Sequence, residues 1–365
     1  MRRNDGGDFI VGSQQVECTF FEPLSTRPVP AHERILAERS ADRHGAGPVR
    51  SESGAPDGSL VDRNRWIVAA LSKRQHGGFC EHLVRFGIDV ANVVVARCHM
   101  AEVEISQVRD GVTVLTLNRP SKLNAMTSEM VEQLHEALSS ISCDRESRVV
   151  ILTGSGRGFC AGLDLGGYGQ APGFAWNGVV EKSFAVQKHI ASLIPRMRSL
   201  PQPIIAAVNG PASGGGFALV LGSDIRLCAQ SARFNAAFIR IGLSACDIGT
   251  SWLLPRLVGA ARAQELMLTG RLFDAQEALR IGLVVDAVPD DALMDAAIAK
   301  AEEIKLNTPL GVALTKEGMW SALEIPGLQA AIDMENRQQI MASFSSDHRE
   351  TLKARAEGRA PQFGA

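Results

Sequence analysis

The sequence lacks the features that mark a membrane-spanning or exported chain. No run approaches the roughly 18 consecutive apolar residues that a membrane-spanning helix needs. Arg2 and Arg3 are followed by no apolar stretch, which argues against a secretory or twin-arginine signal. We therefore expect no membrane partner.

Paired cysteines and a strong net charge are missing as well. The seven cysteines form no Cys-x-x-Cys pair and no zinc-type grouping with histidine. This pattern predicts a reducing, cytoplasmic compartment without a metal site. A net charge of −2 offers no bulk attraction for nucleic acid or for an anionic lipid surface. We therefore expect no nucleic-acid partner and no metal or redox cofactor.

The chain changes character near residue 100. Residues 27–62 are rich in proline, glycine, serine and arginine, and they show neither helical nor strand periodicity, which is typical of loop or disorder. The first 99 residues contain 12 arginines against one lysine. They are either a regulatory or docking extension, or an upstream frame translated from a misplaced start, with Met100 as the natural first residue. The abrupt onset of regular patterning favours the second interpretation.

From residue 101 onward, strand and helix patterns alternate. Residues 112–117 alternate as a strand does, and a helical apolar stripe starts near Ser128. Continuous apolar runs at 149–152 and 204–208 predict buried strands. Further helices are predicted at 260–268, 275–281, 292–304 and 328–343. These patterns indicate an α/β fold with helices on at least one face of a sheet. We place its core at 100–295 and a C-terminal helical region at 296–365.

Two glycine-rich turns follow the buried strands. The turn at 154–164 fails the dinucleotide-binding pattern, because Phe159 replaces a glycine and no helix follows. The turn at 209–218 contains three consecutive glycines before an apolar helix, where free backbone N–H groups can hold an oxyanion. Close packing of helix on sheet explains the same glycines. A serine nucleophile at Ser213 is disfavoured, because Pro211 breaks the required motif.

Taken together, the motifs of residues 101–365 resemble the crotonase, or enoyl-CoA hydratase/isomerase, superfamily. The matching segments are 117–120, 123–125, 158–165, 203–210, 214–216, 223–226, 249–250, 254–256, 270–271, 275–284 and 347–350. The resemblance implies a crotonase-like fold of repeated ββα units. It also implies a C-terminal helical region that packs in a homotrimer or a dimer of trimers.

The resemblance further implies that two backbone N–H groups stabilise a thioester enolate. By motif these donors belong to Leu163 and Gly215, and a Cβ on Gly215 is expected to crowd the thioester. The residues matched to coenzyme A binding are Lys122, Leu123, Ala125, Ala161 and Leu163. A lysine in a surface turn is also commonly just solvated. Coenzyme A enters as part of the substrate, and residues 166–180 are expected to shape the acyl pocket.

The sequence departs from the well-known hydratases at both catalytic glutamates. The matching positions hold Ala218 and Phe238. One acid remains, Asp247, which is either a loop cap or a carboxylate whose pKa is raised in an apolar pocket beside Phe238 and Trp252. A dehalogenase needs a histidine that His189 does not match in position, and we expect His189 to be an ordinary surface residue of a helix.

Three functions remain under consideration. The leading one is an acyl-CoA enzyme that isomerises or hydrates a double bond through an enolate, with Asp247 as acid and base. The alternative is a catalytically weak acyl-CoA-binding protein. RNA binding requires a lysine-rich helix face, which the sequence does not offer. We expect Asp164, Asp224 and Cys160 to be structural.

Overall fold

The computed structural model describes residues 101–169 and 178–363. The predicted N-terminal segment 1–99, Met100, and the central part of the expected acyl loop, with Phe174 and Trp176, lie outside the described residues.

The described residues form nine strands and eleven α-helices. The strands are β1 (Val103–Arg109), β2 (Val112–Leu117), β3 (Val149–Gly154), β4 (Ile204–Val208), β5 (Ala212–Ser213), β6 (Ile225–Ala229), β7 (Arg233–Asn235), β8 (Phe273–Asp274) and β9 (Asp286–Val288). The helices are α1 (Ser128–Cys143), α2 (Val179–Ala191), α3 (Leu193–Ser199), α4 (Gly215–Gly222), α5 (Thr250–Val258), α6 (Ala260–Thr269), α7 (Ala275–Arg280), α8 (Leu293–Lys305), α9 (Pro309–Ala322), α10 (Leu328–Ser343) and α11 (Ser346–Glu357). Short 3₁₀ helices lie at Pro120–Lys122, Ala237–Ile241 and Asp290–Ala292.

Six strands form the main sheet in the order β1-β2-β3-β4-β6-β9. Only the β1–β2 pair is antiparallel, and the other four pairs are parallel. Every residue of β4 is buried, as is β3 up to its last residue. Parallel strands buried on both faces are continuously apolar because helices cover each side. The predicted α/β architecture is therefore confirmed.

Alternate residues of these strands face two separate apolar layers. Leu115, Val150 and Leu152 belong to a large cluster that also contains the apolar side of α1, α3 and α4. Val114, Ile151 and Ile205 point to the other face, where α8 covers them. This alternation follows from the two-residue period of a strand. Helices therefore pack on both faces of the main sheet.

A smaller sheet in the order β5-β7-β8 connects the two glycine turns to the core. β5 pairs with β7 in parallel, and β7 pairs with β8 antiparallel. Cys160 of the first glycine turn bridges to Ala212 of β5. This bridge brings the turn after β3 beside the turn that opens α4.

The C-terminal helices contain both buried and exposed elements. α8 straddles residues 295 and 296, where we placed the end of the core, and its Leu293, Ala297 and Ala301 pack under the sheet; the division into segments stays a prediction. α10 has no buried residue. Within residues 101–169 and 178–363, no helix is both long and apolar enough to cross a membrane.

Candidate active site

The segment before α1 runs alongside the first glycine turn. The Ala161 amide donates to the Leu123 carbonyl at 2.9 Å, and the Met126 amide donates to the Gly162 carbonyl at 2.7 Å. The Asp164 amide in turn donates to the Met126 carbonyl at 2.9 Å. These bonds bring the residues matched to coenzyme A binding, Lys122, Leu123, Ala125, Ala161 and Leu163, to one edge.

Asn124 holds this edge in place, and sequence reasoning did not single it out. It is fully buried in the left-handed region, with φ 56°, which asparagine tolerates better than most residues. Its amide Nδ2 donates to three carbonyls of the first glycine turn, those of Ser155, Gly158 and Phe159, at 2.8–3.1 Å. The only available signal was its place within the Leu-Asn-Ala motif.

The pairing of Met126 with the first glycine turn leaves the Leu163 amide free. Met126 bonds to the carbonyl before Leu163 and to the amide after it. In a parallel pairing of this kind, the intervening residue directs its own N–H to the opposite side. Among the described residues, the Leu163 N–H has no hydrogen-bond acceptor.

The Gly215 amide is free for a different reason. The Ser213 amide donates to Cys160 and the Gly214 amide donates to Asn235, at 2.9 and 3.1 Å, which fixes the chain up to the start of α4. Gly215 is the first residue of α4, where amides have no partner within the helix. Within the described residues, its N–H has no acceptor. The helix N-terminus also favours negative charge at this point.

The two free amides lie close together because Gly162 approaches Gly215. A Cβ built on Gly162 would lie 3.4 Å from the Gly215 nitrogen and 2.9 Å from the Ser213 carbonyl oxygen. Gly162 also has φ +99°, which side chains rarely adopt. The arrangement therefore requires glycine at position 162.

A side chain at position 215 would also meet neighbouring side chains of the protein. A Cβ there would first meet the end of the Met126 side chain, with Ile248 Cδ1 at 3.4 Å. The expected crowding of the thioester stays a prediction. The third glycine, Gly216, packs against the Cys160 backbone and leaves no room for a side chain.

Asp247 lies in the turn that precedes α5. Its Oδ1 accepts hydrogen bonds from the Ile248 amide, at 2.8 Å, and from Nε2 of Gln187 on α2. Ile248 and Gly249 are both left-handed, with φ 45° and 76°. Because Ile248 also packs against Gly215, Asp247 is next in sequence to a residue that contacts the free-amide turn. Asp247 is therefore one residue away from a side chain that borders that turn.

Burial raises the pKa of Asp247, and the two hydrogen bonds from Ile248 and Gln187 oppose that rise. The carboxylate is half-buried. The net upward direction fits a group that exchanges a proton, since desolvation disfavours the charged form.

The two aromatic residues expected beside Asp247, Phe238 and Trp252, have different neighbours. Phe238 is buried, and its ring lies 3.7 Å from the position of a Cβ on Gly214, so it borders the second glycine turn. Trp252 instead stacks against the guanidinium groups of Arg198 and Arg256, at 4.6 and 3.8 Å from its ring centre. The Arg198 contact joins α3 to α5, whereas Arg256 lies one turn after Trp252 on α5 itself. Ala218 is fully buried in α4.

The remaining acids and Cys160 are structural, as expected. Asp164 pairs with Arg119 at 3.0 Å. The hydrogen bond from the Gly166 amide, followed by that from Arg119, lowers the pKa of the Asp164 carboxyl. Asp224 pairs with Lys316 at 2.8 Å. Burial raises the pKa of Cys160 to about 12, so its thiol stays protonated near neutral pH.

His189 is not on the helix surface, contrary to expectation. Its side chain is 13% exposed and lies between α2 and α1, with Nε2 3.5 Å from the Glu132 carboxylate and its ring 5.1 Å from that of His135. Burial, together with His135, lowers the pKa of His189. The α2 side chain that does contact Asp247 is Gln187, which no sequence motif indicated.

Tyr168 is the described aromatic residue of the expected acyl loop. Its hydroxyl is buried without a hydrogen-bond partner among the described residues, and burial raises its pKa. Its backbone carbonyl accepts from the Ser128 amide at 2.7 Å, which attaches the loop to the start of α1. Across 101–169 and 178–363, no cluster of His, Cys, Asp and Glu could hold a metal ion.

Known proteins are similar to this chain in both sequence and fold. A family profile described as enoyl-CoA hydratase/isomerase matches residues 107–365. The chain is 42% identical over 270 residues to the "probable enoyl-CoA hydratase echA12" of Mycobacterium bovis, an alignment that covers 73% of this chain and 94% of that protein. It is 40% identical over 264 residues to the 1,2-epoxyphenylacetyl-CoA isomerase of Escherichia coli, covering 72% and 99% of the two chains.

A solved structure gives the same result. The crystal structure of a "probable enoyl-CoA hydratase/isomerase" from Mycobacterium abscessus matches with a TM-score of 0.67 at 36% identity, over 72% of this chain and 98% of that one. The chain therefore has the crotonase fold that its motifs predicted. It belongs to the enoyl-CoA hydratase/isomerase family and is an enzyme of that family.

Proposed function

We propose that this enzyme moves a double bond within an enoyl-CoA thioester, with Asp247 as its only acid and base. One observation carries the proposal: the half-buried Asp247 carboxylate, whose pKa is raised, directly precedes Ile248, and the Ile248 side chain lies near Gly215 with its free amide. The positions of the two hydratase glutamates hold Ala218 and Phe238. One carboxylate suffices to carry a proton from one carbon to another.

The thioester oxygen would accept hydrogen bonds from the Leu163 and Gly215 amides. Asp247 would remove a proton from the α-carbon of a 3-enoyl-CoA, and the electron pair would delocalise into a dienolate whose oxygen the two amides stabilise. Asp247 would then return the same proton to the γ-carbon, which gives the 2-enoyl-CoA and restores the carboxylate. Nothing else is consumed.

Coenzyme A would bind along the edge formed by Lys122, Leu123, Ala125 and Ala161. Lys122 is exposed at the end of a 3₁₀ helix, where its ammonium group is available to a phosphate of the substrate. Under this proposal coenzyme A is part of the substrate and no separate cofactor takes part.

Hydration is the second candidate reaction, because one of the relatives above is named a hydratase. In that case Asp247 would activate a water that adds to the β-carbon, and the same group would return the proton to the α-carbon. The relative at 40% identity is named for the isomerisation of an epoxide, so it supports an isomerase of acyl-CoA thioesters but not specifically the shift of a double bond.

The test is the turnover of a 3-enoyl-CoA and a 2-enoyl-CoA by the full chain and by Asp247→Asn. Isomerisation predicts product from the 3-enoyl substrate, and hydration predicts a 3-hydroxyacyl product from the 2-enoyl substrate. Thioester binding without turnover of either would favour the alternative of a catalytically weak acyl-CoA-binding protein. An Asp247→Asn variant as active as the parent would overturn the assigned role.

We also propose that the enzyme assembles as a homotrimer or a dimer of trimers through its C-terminal helices. The support is the exposed apolar surface of α10 and the residue after it. This surface includes Leu328, Ile332, Ile340, Met341 and Phe344. Exposed apolar side chains grouped along one helix are typical of interaction sites.

A further inference from the structure

Asp247 presents its two carboxylate oxygens differently. Oδ1 accepts both described hydrogen bonds, one from the Ile248 amide of its own turn and one from the Gln187 side chain of α2. Oδ2 accepts none among the described residues. A carboxylate held through one oxygen keeps the other available for a proton.

We propose that Gln187 is a positioning residue that orients the Asp247 carboxylate and leaves Oδ2 as the atom that takes and returns the proton. The inference rests on the proposed function of Asp247. Gln187 does not contact the reacting carbon under this proposal; it acts through Asp247.

The two donors fix the carboxylate in different ways. The Ile248 amide is a backbone group within the same turn, so it moves with Asp247. Gln187 belongs to a separate element, α2, which packs against α1 and α3. A hydrogen bond between separate elements fixes the rotation of the carboxylate relative to the rest of the pocket. Small errors in such positioning carry large costs in rate.

The surroundings of Asp247 and Gln187 make the pKa of Asp247 sensitive to their hydrogen bond. Within the described residues, the influences on the pKa of Asp247 are burial, the Ile248 amide and the Gln187 amide, and none of them is a charged side chain. Removing the Gln187 donor withdraws a group that stabilises the ionised form, so the pKa of Asp247 rises further. The acid side of the pH profile therefore reports on this one hydrogen bond.

The experiment compares Gln187→Met with Gln133→Met in the full chain. Methionine keeps the length of glutamine and removes its donors. Gln133 is a matched control because its amide oxygen accepts the Val103 amide at 2.9 Å, a purely structural contact between α1 and β1. We expect Gln187→Met to lower kcat about tenfold with little change in KM, and to move the acid limb of the profile to higher pH. Gln133→Met is expected to leave that limb in place.

Gln187→Glu is a second variant, for which the expected shift of the acid limb also has a definite direction. A second carboxyl beside Asp247 disfavours ionisation of the pair, so the acid limb moves further to higher pH than in Gln187→Met. Any carboxyl at this position would have that effect, so this variant checks that position 187 lies next to the titrating group, and the kcat and acid limb of Gln187→Met test the positioning role.

A double variant separates this inference from the proposed function. In the Asp247→Asn background, Gln187→Met is expected to reduce the residual rate no further, since both changes act on one group. An inactive Asp247→Asn together with an unshifted acid limb in Gln187→Met would overturn the role of Gln187 alone. A fully active Asp247→Asn would overturn both proposals.

Discussion

Lys316 of α9 forms a buried ion pair with Asp224, with 2.8 Å between Nζ and Oδ2. The same ammonium group donates to the carbonyls of Met197 and Gln202, at 2.9 and 3.0 Å. Trp320, one turn further along α9, donates its indole N–H to the other Asp224 oxygen at 3.1 Å. A single carboxylate thus joins α9 to the core beside β4 and β6.

Replacing Lys316 with methionine should destabilise the protein by about 3–5 kcal/mol, because the largely buried Asp224 would lose the cation that it contacts directly. Urea denaturation at one fixed protein concentration measures the change. Lys300→Met is the control, since the pair of Lys300 with Glu303 is exposed and should contribute at most about 1 kcal/mol. Equal losses in the two variants would contradict the assignment.

Gly162→Ala should lower kcat by about 10²-fold or more. The added methyl group would press on the Ser213 carbonyl and the Gly215 amide, in a backbone conformation that alanine disfavours. Steady-state kinetics measures the loss. Gly327→Ala is a suitable control, because Gly327 has open space around it and lies at the start of α10. An unaffected Gly162→Ala would argue against the paired amides as the oxyanion site.

Leu163→Ala should keep kcat within about fivefold of the parent enzyme, because the proposed donor is the backbone N–H and the side chain is only half-buried. The kcat of this variant on the same substrate, set against that of Gly162→Ala, is the measurement. A loss as large as that in Gly162→Ala would mean that the leucine side chain contributes directly.

The activity should fall on the acid side with a midpoint above 3.8, the ordinary pKa of an aspartate. The ionised form of Asp247 removes the proton, and burial holds its pKa up, so the base is lost earlier as the pH falls. A profile of kcat/KM against pH gives the midpoint. Asp247→Asn should lose about 10²-fold or more at all pH values, and an acid limb that persists in this variant would belong to another group.

Ile340→Glu should weaken the proposed assembly, because it places a charge on the exposed apolar surface of α10. Light scattering after size-exclusion chromatography would then give a smaller mass than for the parent enzyme. Gln339→Glu adds a charge at the neighbouring position on the same helix and should leave the mass unchanged. A parent enzyme that elutes as a monomer would exclude the trimer.

The sequence predicted the main elements well because their patterns are local. The alternating run at 112–117 is β2, and the continuous apolar runs at 149–152 and 204–208 lie in β3 and β4. The helix α9 lies in the predicted C-terminal helical region, but its bounds were not predicted. Its buried Lys316 is of a type usually found at the surface, and its burial depends on Asp224, which is distant in sequence.

The site was predictable where motifs carry it. Leu163, Gly215 and Asp247 were named from short segments, and their roles stay predictions; the structure shows free amides at Leu163 and Gly215 and a half-buried Asp247. The contact of Gln187 with Asp247, the packing of His189 against α1 and the stacking of Trp252 on Arg198 depend on how helices pack. No local pattern records such packing.

The pairing of Met126 with the first glycine turn means that the two catalytic tasks depend on different parts of the chain, one on the backbone and one on a side chain. The groups that would activate the thioester are backbone amides, so a change of the residue's own side chain, as in Leu163→Ala, leaves them in place. The group that would move the proton is one side chain, which a single codon change can remove or introduce elsewhere around the pocket. A fold of this kind can therefore change its reaction through its acidic side chains while the pair of backbone amides stays the same.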